Sequence, residues 1–177
     1  YADVSKPVVL PKNFNSESED RPLKVLNYTQ DRSSDWKTSL SGVNPGDELR
    51  FNAYYHNASS DTANNTKIEF SLGSGSSNNF TATSKISADG FNDHMSNVNI
   101  ALNSSQSIKI RNVAKWYHNY VNSKYQIDDV NVTVSGNVAT IDLGQVNSGY
   151  APNDGYVVFY ADVSKPVVLP KNFNSES

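Results

Sequence analysis

Residues 1–18 of the 177-residue chain, YADVSKPVVLPKNFNSES, recur without a mismatch as residues 160–177, at an offset of 159 residues. A match of this length is not a matter of chance, and self-similarity at a fixed period marks an array of repeated units. The phase of the repeat is equally informative. Tyr160 lies inside the run Gly155-Tyr-Val-Val-Phe-Tyr-Ala-Asp-Val163, whose branched and aromatic residues suit a strand. Its copy, Tyr1, therefore starts in mid-strand, whereas domain boundaries ordinarily fall in polar linkers. Three arrangements fit. The chain is a window on a longer periodic polypeptide, or a subunit whose ends carry the same strand and complete a neighbour's open sheet edge by donor-strand exchange, or a fusion with a copied donor strand. The lack of a spacer before Tyr160 counts against the fusion. The opening at Tyr1, with no Met, basic stretch or apolar leader, leads us to expect a processed, cut or excerpted chain.

The repeat also divides the chain. Residues 1–21 read as the strand end and inter-unit linker of a preceding repeat, 22–169 as one unit, and 170–177 as the start of the next linker, a copy of 11–18. Leu10–Arg21 is polar, charged and Pro-flanked. Before it, Pro7 and Pro11 stiffen Lys6–Pro11 and supply no backbone donor, so this stretch reads as an extended connector.

Inside the unit, period-two alternation dominates. Val and Ile total 25 against 9 Leu, and Asn (23) and Ser (25) supply turns and polar outer faces. Leu23–Leu26 opens a strand, and Asn44-Pro45-Gly46-Asp47 is a β-turn. Leu49, Phe51, Ala53 and Tyr55 then alternate with Arg50, Asn52, Tyr54 and His56, and Thr66, Ile68, Phe70 and Leu72 with Lys67, Glu69 and Ser71. Phe80–Ser87, Val98–Leu102, Ser107–Arg111, the hairpin around Ser135-Gly136-Asn137 and Gly155–Val163 complete eight or nine short strands. The count and frequent turns predict an all-β, immunoglobulin-like antiparallel sandwich. One segment departs from the pattern. Val113, Trp116, Tyr117, Tyr120 and Val121 fall at helical spacing, which predicts a short helix over Asn112–Asn122 closing one end.

Two stretches carry a family resemblance. Asn44–Asn57 (NPGDELRFNAYYHN) with Ala63–Leu72, and Val132–Gly144 with Gly155–Val163, resemble conserved-repeat immunoglobulin-like domains of unknown function from prokaryotic surface and S-layer-type proteins. The resemblance covers under half of the chain. Ala58-Ser59-Ser60 stands where the family usually has Gly after the strand-end Asn, and the Gln145–Asp154 loop lacks a clean Pro-Gly turn. The resemblance implies an extracellular, often tandem, structural or adhesive module, with no catalytic residues to carry over.

Chemistry-bearing motifs are sparse. A net charge of −3 with scattered Lys and Arg argues against a nucleic-acid or membrane-surface partner, and no apolar stretch approaches a membrane span. Without Cys, disulfides and Cys-based zinc sites are excluded. His56, His94 and His118 form no ligand motif, and the Asp89–Asp93 and Asp128-Asp129 carboxylates complete no calcium loop and read as turn chemistry. No hydrolase, phosphate-loop or dinucleotide fingerprint occurs, so no enzyme, cofactor or metal is expected. Trp116, Tyr117 and Tyr120, with Tyr125 and Trp36, form either an aromatic platform for sugar rings or an end-cap of the core. Six N-x-S/T sequons permit glycosylation without arguing for it.

These features lead us to expect a structural repeat unit of an extracellular filament or cell-surface array. Its partners are identical copies of itself, joined covalently in tandem or by donor-strand exchange. Tyr160, Val163, Val167, Val168, Leu169 and Pro170, and the copies Tyr1, Val4, Val8, Val9, Leu10 and Pro11, are the expected inter-subunit strand and linker. The alternative is an adhesin or carbohydrate-binding surface module whose partner is a glycan.

Overall fold

The alternating series around Phe51 folds as its period demands as far as Tyr55, but His56, expected on its wet face, lies past the strand end, where the chain reverses, and is buried. In the computed structural model, which describes residues 2–5, 10–16, 22–167, 170 and 171, Leu49, Phe51, Ala53 and Tyr55 are buried in strand β3 (Glu48–Tyr55), and Arg50, Asn52 and Tyr54 face outward. The other strands are β1 (Leu23–Asn27), β2 (Ser39–Val43), β4 (Ala63–Ser71), β5 (Ser77–Ser87), β6 (His94–Gln106), β7 (Ile108–Val121), β8 (Lys124–Asn131), β9 (Thr133–Ser135), β10 (Val138–Val146) and β11 (Gly155–Val163). They form two sheets, a five-stranded one in the order β1-β3-β11-β7-β8 and a six-stranded one in the order β2-β6-β5-β4-β10-β9. All pairings are antiparallel except β2 with β6.

One continuous core lies between the sheets. Phe70 of β4 stands 4.6 Å from Phe51 and 4.8 Å from Phe159 of β11, ring centre to ring centre, which joins the two layers at their middle. In β3, β4 and β5 the apolar residues of this layer arise from alternation, because successive strand side chains point to opposite faces, whereas β11 is buried continuously from Val157 to Ala161.

The chain is all-β, and two expectations about it need correction. Among the described residues the strands number eleven rather than eight or nine. β2 (SLSGV) has no apolar alternation and is held by parallel pairing to β6, while β8 is the partner of the segment expected to be a helix. Among the described residues there is no helix, and Asn112–Asn122 belongs to β7 and the turn after it. Its helical spacing is produced by two features of a strand. Ala114 and Trp116 point inward while Lys115 and Tyr117 point outward, and the ladder slips between His118 and Val121, where Asn119 has φ 50°. The neighbouring Asn122 and Ser123, at φ 54° and 60°, then make the tight reversal into β8. Pairing on both edges, to β11 and β8, satisfies the β7 backbone, and its Trp, Tyr and Val residues suit that pleated setting better than a helix.

Trp116 thus serves the core. Its indole N–H donates to the Tyr55 hydroxyl at 2.9 Å, and burial pushes the Tyr55 phenol up to about 12. A phenol whose folded-state pKa lies above its unfolded value near 10 stabilises the fold fully below pH 10, and this contribution is lost as pH rises toward 12. Stability should therefore fall by on the order of 2 kcal/mol across that window from Tyr55 alone. Urea unfolding from pH 9 to 12 should show the decline, and Tyr55→Phe should lessen it by that amount; a flat wild-type profile would contradict the assignment.

Candidate functional site

The duplicated sequence has two halves with different fates. YADV is built into the sheet at 160–163 as the end of β11, with β3 on one side and β7 on the other. The described part of its copy, residues 2–4, belongs to no strand, and Val4 is 93% exposed. KNFNS, in contrast, is built into the domain at 12–16, although Leu10–Arg21 reads as a linker. Phe14 is fully buried and stands 5.1 Å from the Phe91 ring. The second copy of Phe14 is Phe173, which lies outside the described residues, as do Tyr1, Val8, Val9, Val168 and Leu169.

A chain reversal at the end of β3 creates the seat for Phe14. Asn57 is wholly buried and donates through its side-chain amide to the carbonyl oxygens of Asp61 (2.6 Å) and Val146 (3.1 Å), and its own carbonyl accepts from Gly149 N–H at 2.8 Å. The Phe14 segment pairs with this edge. Asn15 N–H donates to the His56 carbonyl (2.9 Å), Ala58 N–H to the Asn13 carbonyl (3.0 Å), and Asn92 N–H to the Lys12 carbonyl (2.9 Å). The Asn15 side chain accepts from His56 N–H at 3.0 Å and donates to the Tyr54 carbonyl at 3.2 Å. Asn15 sits at φ 55°, a left-handed conformation that Asn tolerates better than most residues. Asn13 accepts from the Asn92 amide at 2.9 Å, and Lys12 meets Asp61 at 3.1 Å. One aromatic anchor with a ring of hydrogen bonds makes this a socket, and we call its end of the sandwich the entry pole.

The opposite end is the exit pole. β11 pairs Gly155 with Tyr55 at the entry side and Asp162 with Glu48 at the other, so it crosses the sandwich between them. Beyond Asp162, the Val163 carbonyl accepts from Gly46 N–H and Val163 N–H donates to the Asp47 carbonyl, both at 3.0 Å. Ser164 N–H donates to the Ser107 carbonyl at 2.9 Å, and Ser107 N–H to the Ser164 hydroxyl at 3.0 Å. The turn that receives the strand is itself fixed by buried Asp47, whose Oδ2 accepts from Asn44 N–H, the Asn27 amide and the Gln30 amide at 2.8–2.9 Å. Lys165 lies across Gly46, where a Cβ would come within 2.7 Å of its Cε and where φ is +84°. Val167 and Pro170 beyond it are exposed. Tyr160 and Val163 are thus interior residues of their own sheet, and Val4, Leu10, Pro11, Val167 and Pro170 are surface residues.

The aromatic residues expected as a platform divide between two faces. Trp116 points inward and stacks on His118 at 3.9 Å. Tyr117 faces outward and stacks on Tyr156 at 4.3 Å, while Tyr120 packs on Tyr125 at 4.7 Å, which meets Tyr156 edge-on at 5.4 Å. The Asp154 carboxylate accepts from the Tyr54 hydroxyl at 2.9 Å and the Tyr125 hydroxyl at 3.4 Å. Burial, with the Asp154 charge beside it, pushes the Tyr125 phenol up to about 12. Further along the outer face, Arg50 lies 3.3 Å over the Tyr28 ring and 5.0 Å from the Tyr160 ring, and Arg111 forks onto Asp162 with two contacts of 2.7 Å. A groove of about 210 Å³ runs between this face and the loop carrying Trp36. Among the described residues no group of three or more His, Asp or Glu converges as a metal site, and no helix is long and apolar enough to cross a membrane. Comparison of the chain with protein-family models, curated proteins and solved structures gives no match.

Sequence reasoning missed the socket because Phe14 stands alone among polar residues. The available signal was that isolation, since one aromatic between two Asn in a charged stretch is out of place in a solvated linker. Phe14→Ala should cost about 3–5 kcal/mol of unfolding free energy, the range for a buried Phe that leaves a cavity. Asn15→Ala should cost about 1–3 kcal/mol, since it removes the two hydrogen bonds that its side chain makes with the His56 N–H and the Tyr54 carbonyl. Guanidinium unfolding would measure both, and losses under 1 kcal/mol at both positions would mean that the segment is not part of the folded unit.

Proposed function

We propose that the chain is one period of an end-to-end structural array, an immunoglobulin-like sandwich unit of an extracellular filament or cell-surface layer. The observation that carries this reading is the split fate of the repeated sequence. Its first half finishes a sheet at 160–163, and its second half starts a fold at 12–16. A segment that closes one unit and opens the next is a junction. The poles support the same reading, because a chain that enters at Phe14 and leaves at Val163 strings its units in line. The resemblance of Asn44–Asn57 to surface-protein repeats supports an extracellular setting.

Donation of β11 itself fits poorly, since both of its edges are occupied within its own sheet. The coupling residues are better placed in the linker from Ser164 onward and in the Phe14 segment. Each repeat should advance the array by about 40–60 Å, from eight strand steps of β11 and an extended linker to the next Phe14 position. Electron microscopy of the natural material should show beads at that spacing, and a dispersed globular particle would sink the proposal.

A second reading is favoured by the outer aromatic face. Tyr117 and Tyr156, stacked face to face, with Tyr125 and Asp154 alongside, offer an apolar aromatic surface and hydrogen-bonding groups of the kind that hold a sugar ring. A glycan array should then give binding that Tyr156→Ala lowers at least tenfold with the unfolding midpoint little changed. An array without signal would dismiss this reading.

A further inference from the structure

The Phe14 socket is filled within the chain by residues 12–16, and the same five residues occur a second time at 171–175. We propose that the socket is the coupling site between consecutive units: Lys171–Ser175 of one copy seats in the Phe14 socket of a second copy, with Phe173 in place of Phe14 and Asn174 in place of Asn15. This inference rests on the end-to-end reading and adds the partner and the contact. It follows from identity of sequence, since every contact that Lys12–Ser16 makes is open to Lys171–Ser175 with no change of side chain.

Geometry directs the second segment outward. The exit strand is pinned through Val163 and Ser164, so residues 165–172 are left to carry Phe173 to a socket. From Ser164 to Phe173 is nine residue steps, at most about 32 Å. The chain's own socket lies past the far end of β11, and the nine steps from Ser164 back to Gly155 alone measure about 30 Å. With Pro166 and Pro170 in the connector, doubling back demands a fully taut path, and a neighbouring copy placed on the exit pole does not. Competition decides the rest. Lys12–Ser16 is tethered to its own socket through residues 17–21, so a rival from another chain faces an effective concentration of about millimolar or more. A dilute wild-type chain therefore keeps its own segment seated, and coupling appears where that segment is disabled or local concentration is high.

The full chain tests this with both anchors removed, as Phe14→Ala/Phe173→Ala, titrated with a synthetic peptide of residues 168–177 (VLPKNFNSES). The expected result is a rise in unfolding midpoint that grows with peptide concentration, or recovery of the β circular-dichroism signal if the variant is unfolded alone. Peptide carrying Phe173→Ala should do neither. Phe14→Ala with Phe173 intact should sediment as head-to-tail oligomers that vanish in the double variant. A second measurement keeps Phe14. Asn13 and Asn92 are hydrogen-bonded in the socket, so Asn13→Cys/Asn92→Cys should close a disulfide within one chain. Asn92→Cys/Asn172→Cys should give a ladder of linked chains at millimolar concentration. A silent peptide together with no ladder overturns the socket proposal. If beaded filaments persist regardless, the array reading survives it; if peptide binds but no natural assembly exists, the array reading alone fails.

Discussion

Strand β11 is hydrogen-bonded on both edges, and that double pairing fixes where one unit stops. A strand with a free edge can be shared with a neighbour, whereas a strand between β3 and β7 is committed to its own sheet. The Tyr160–Val163 end of the repeated sequence is thereby consumed by the fold. In the array proposed above, the connection to a following unit would run through the residues from Ser164 onward. The exit turn reinforces the boundary, because Asp47 gathers three donors and Val163 and Ser164 are clamped before the chain departs.

The entry side is built on the opposite principle, a short segment with little apolar area held by many directional contacts. Phe14 supplies the buried surface, and the backbone pairing with His56 and Ala58 supplies the register. Asn57 holds the rim from beneath by joining two further stretches of chain, at Asp61 and at Val146 and Gly149. A socket of this kind recognises a sequence rather than a surface. It discriminates through one pocket and the donors and acceptors around it, and a Phe between two Asn satisfies both.

The strands with a wet and a dry face were legible in the sequence. The alternation at 49–55 and 66–72 marks β3 and the second half of β4, residue for residue, since one buried face requires it. The aromatic stretch 113–121 was not legible, because a slipped ladder and a left-handed Asn119 break the period of two and imitate a helix. β2 has no pattern to read, as parallel pairing at a sheet edge asks little of side chains. The exact repeat leads to the proposal of a junction, but the residues around Phe14 are so polar that composition points to a solvated linker. Only the fold shows which half of the repeat belongs to which side, and that Trp116 and Tyr117, adjacent in sequence, serve different faces.

The opposed poles also govern how the sandwich bears a pull along its length. Once the Phe14 segment has let go, a pull would reach the Leu23 end of β1 and the Val163 end of β11, and these two strands flank β3 in one sheet. Both would have to slide along β3 rather than peel from it. Rungs loaded in parallel yield together, whereas a peeled hairpin gives way one rung at a time, so the geometry suits a tether that resists stretching until a whole ladder fails.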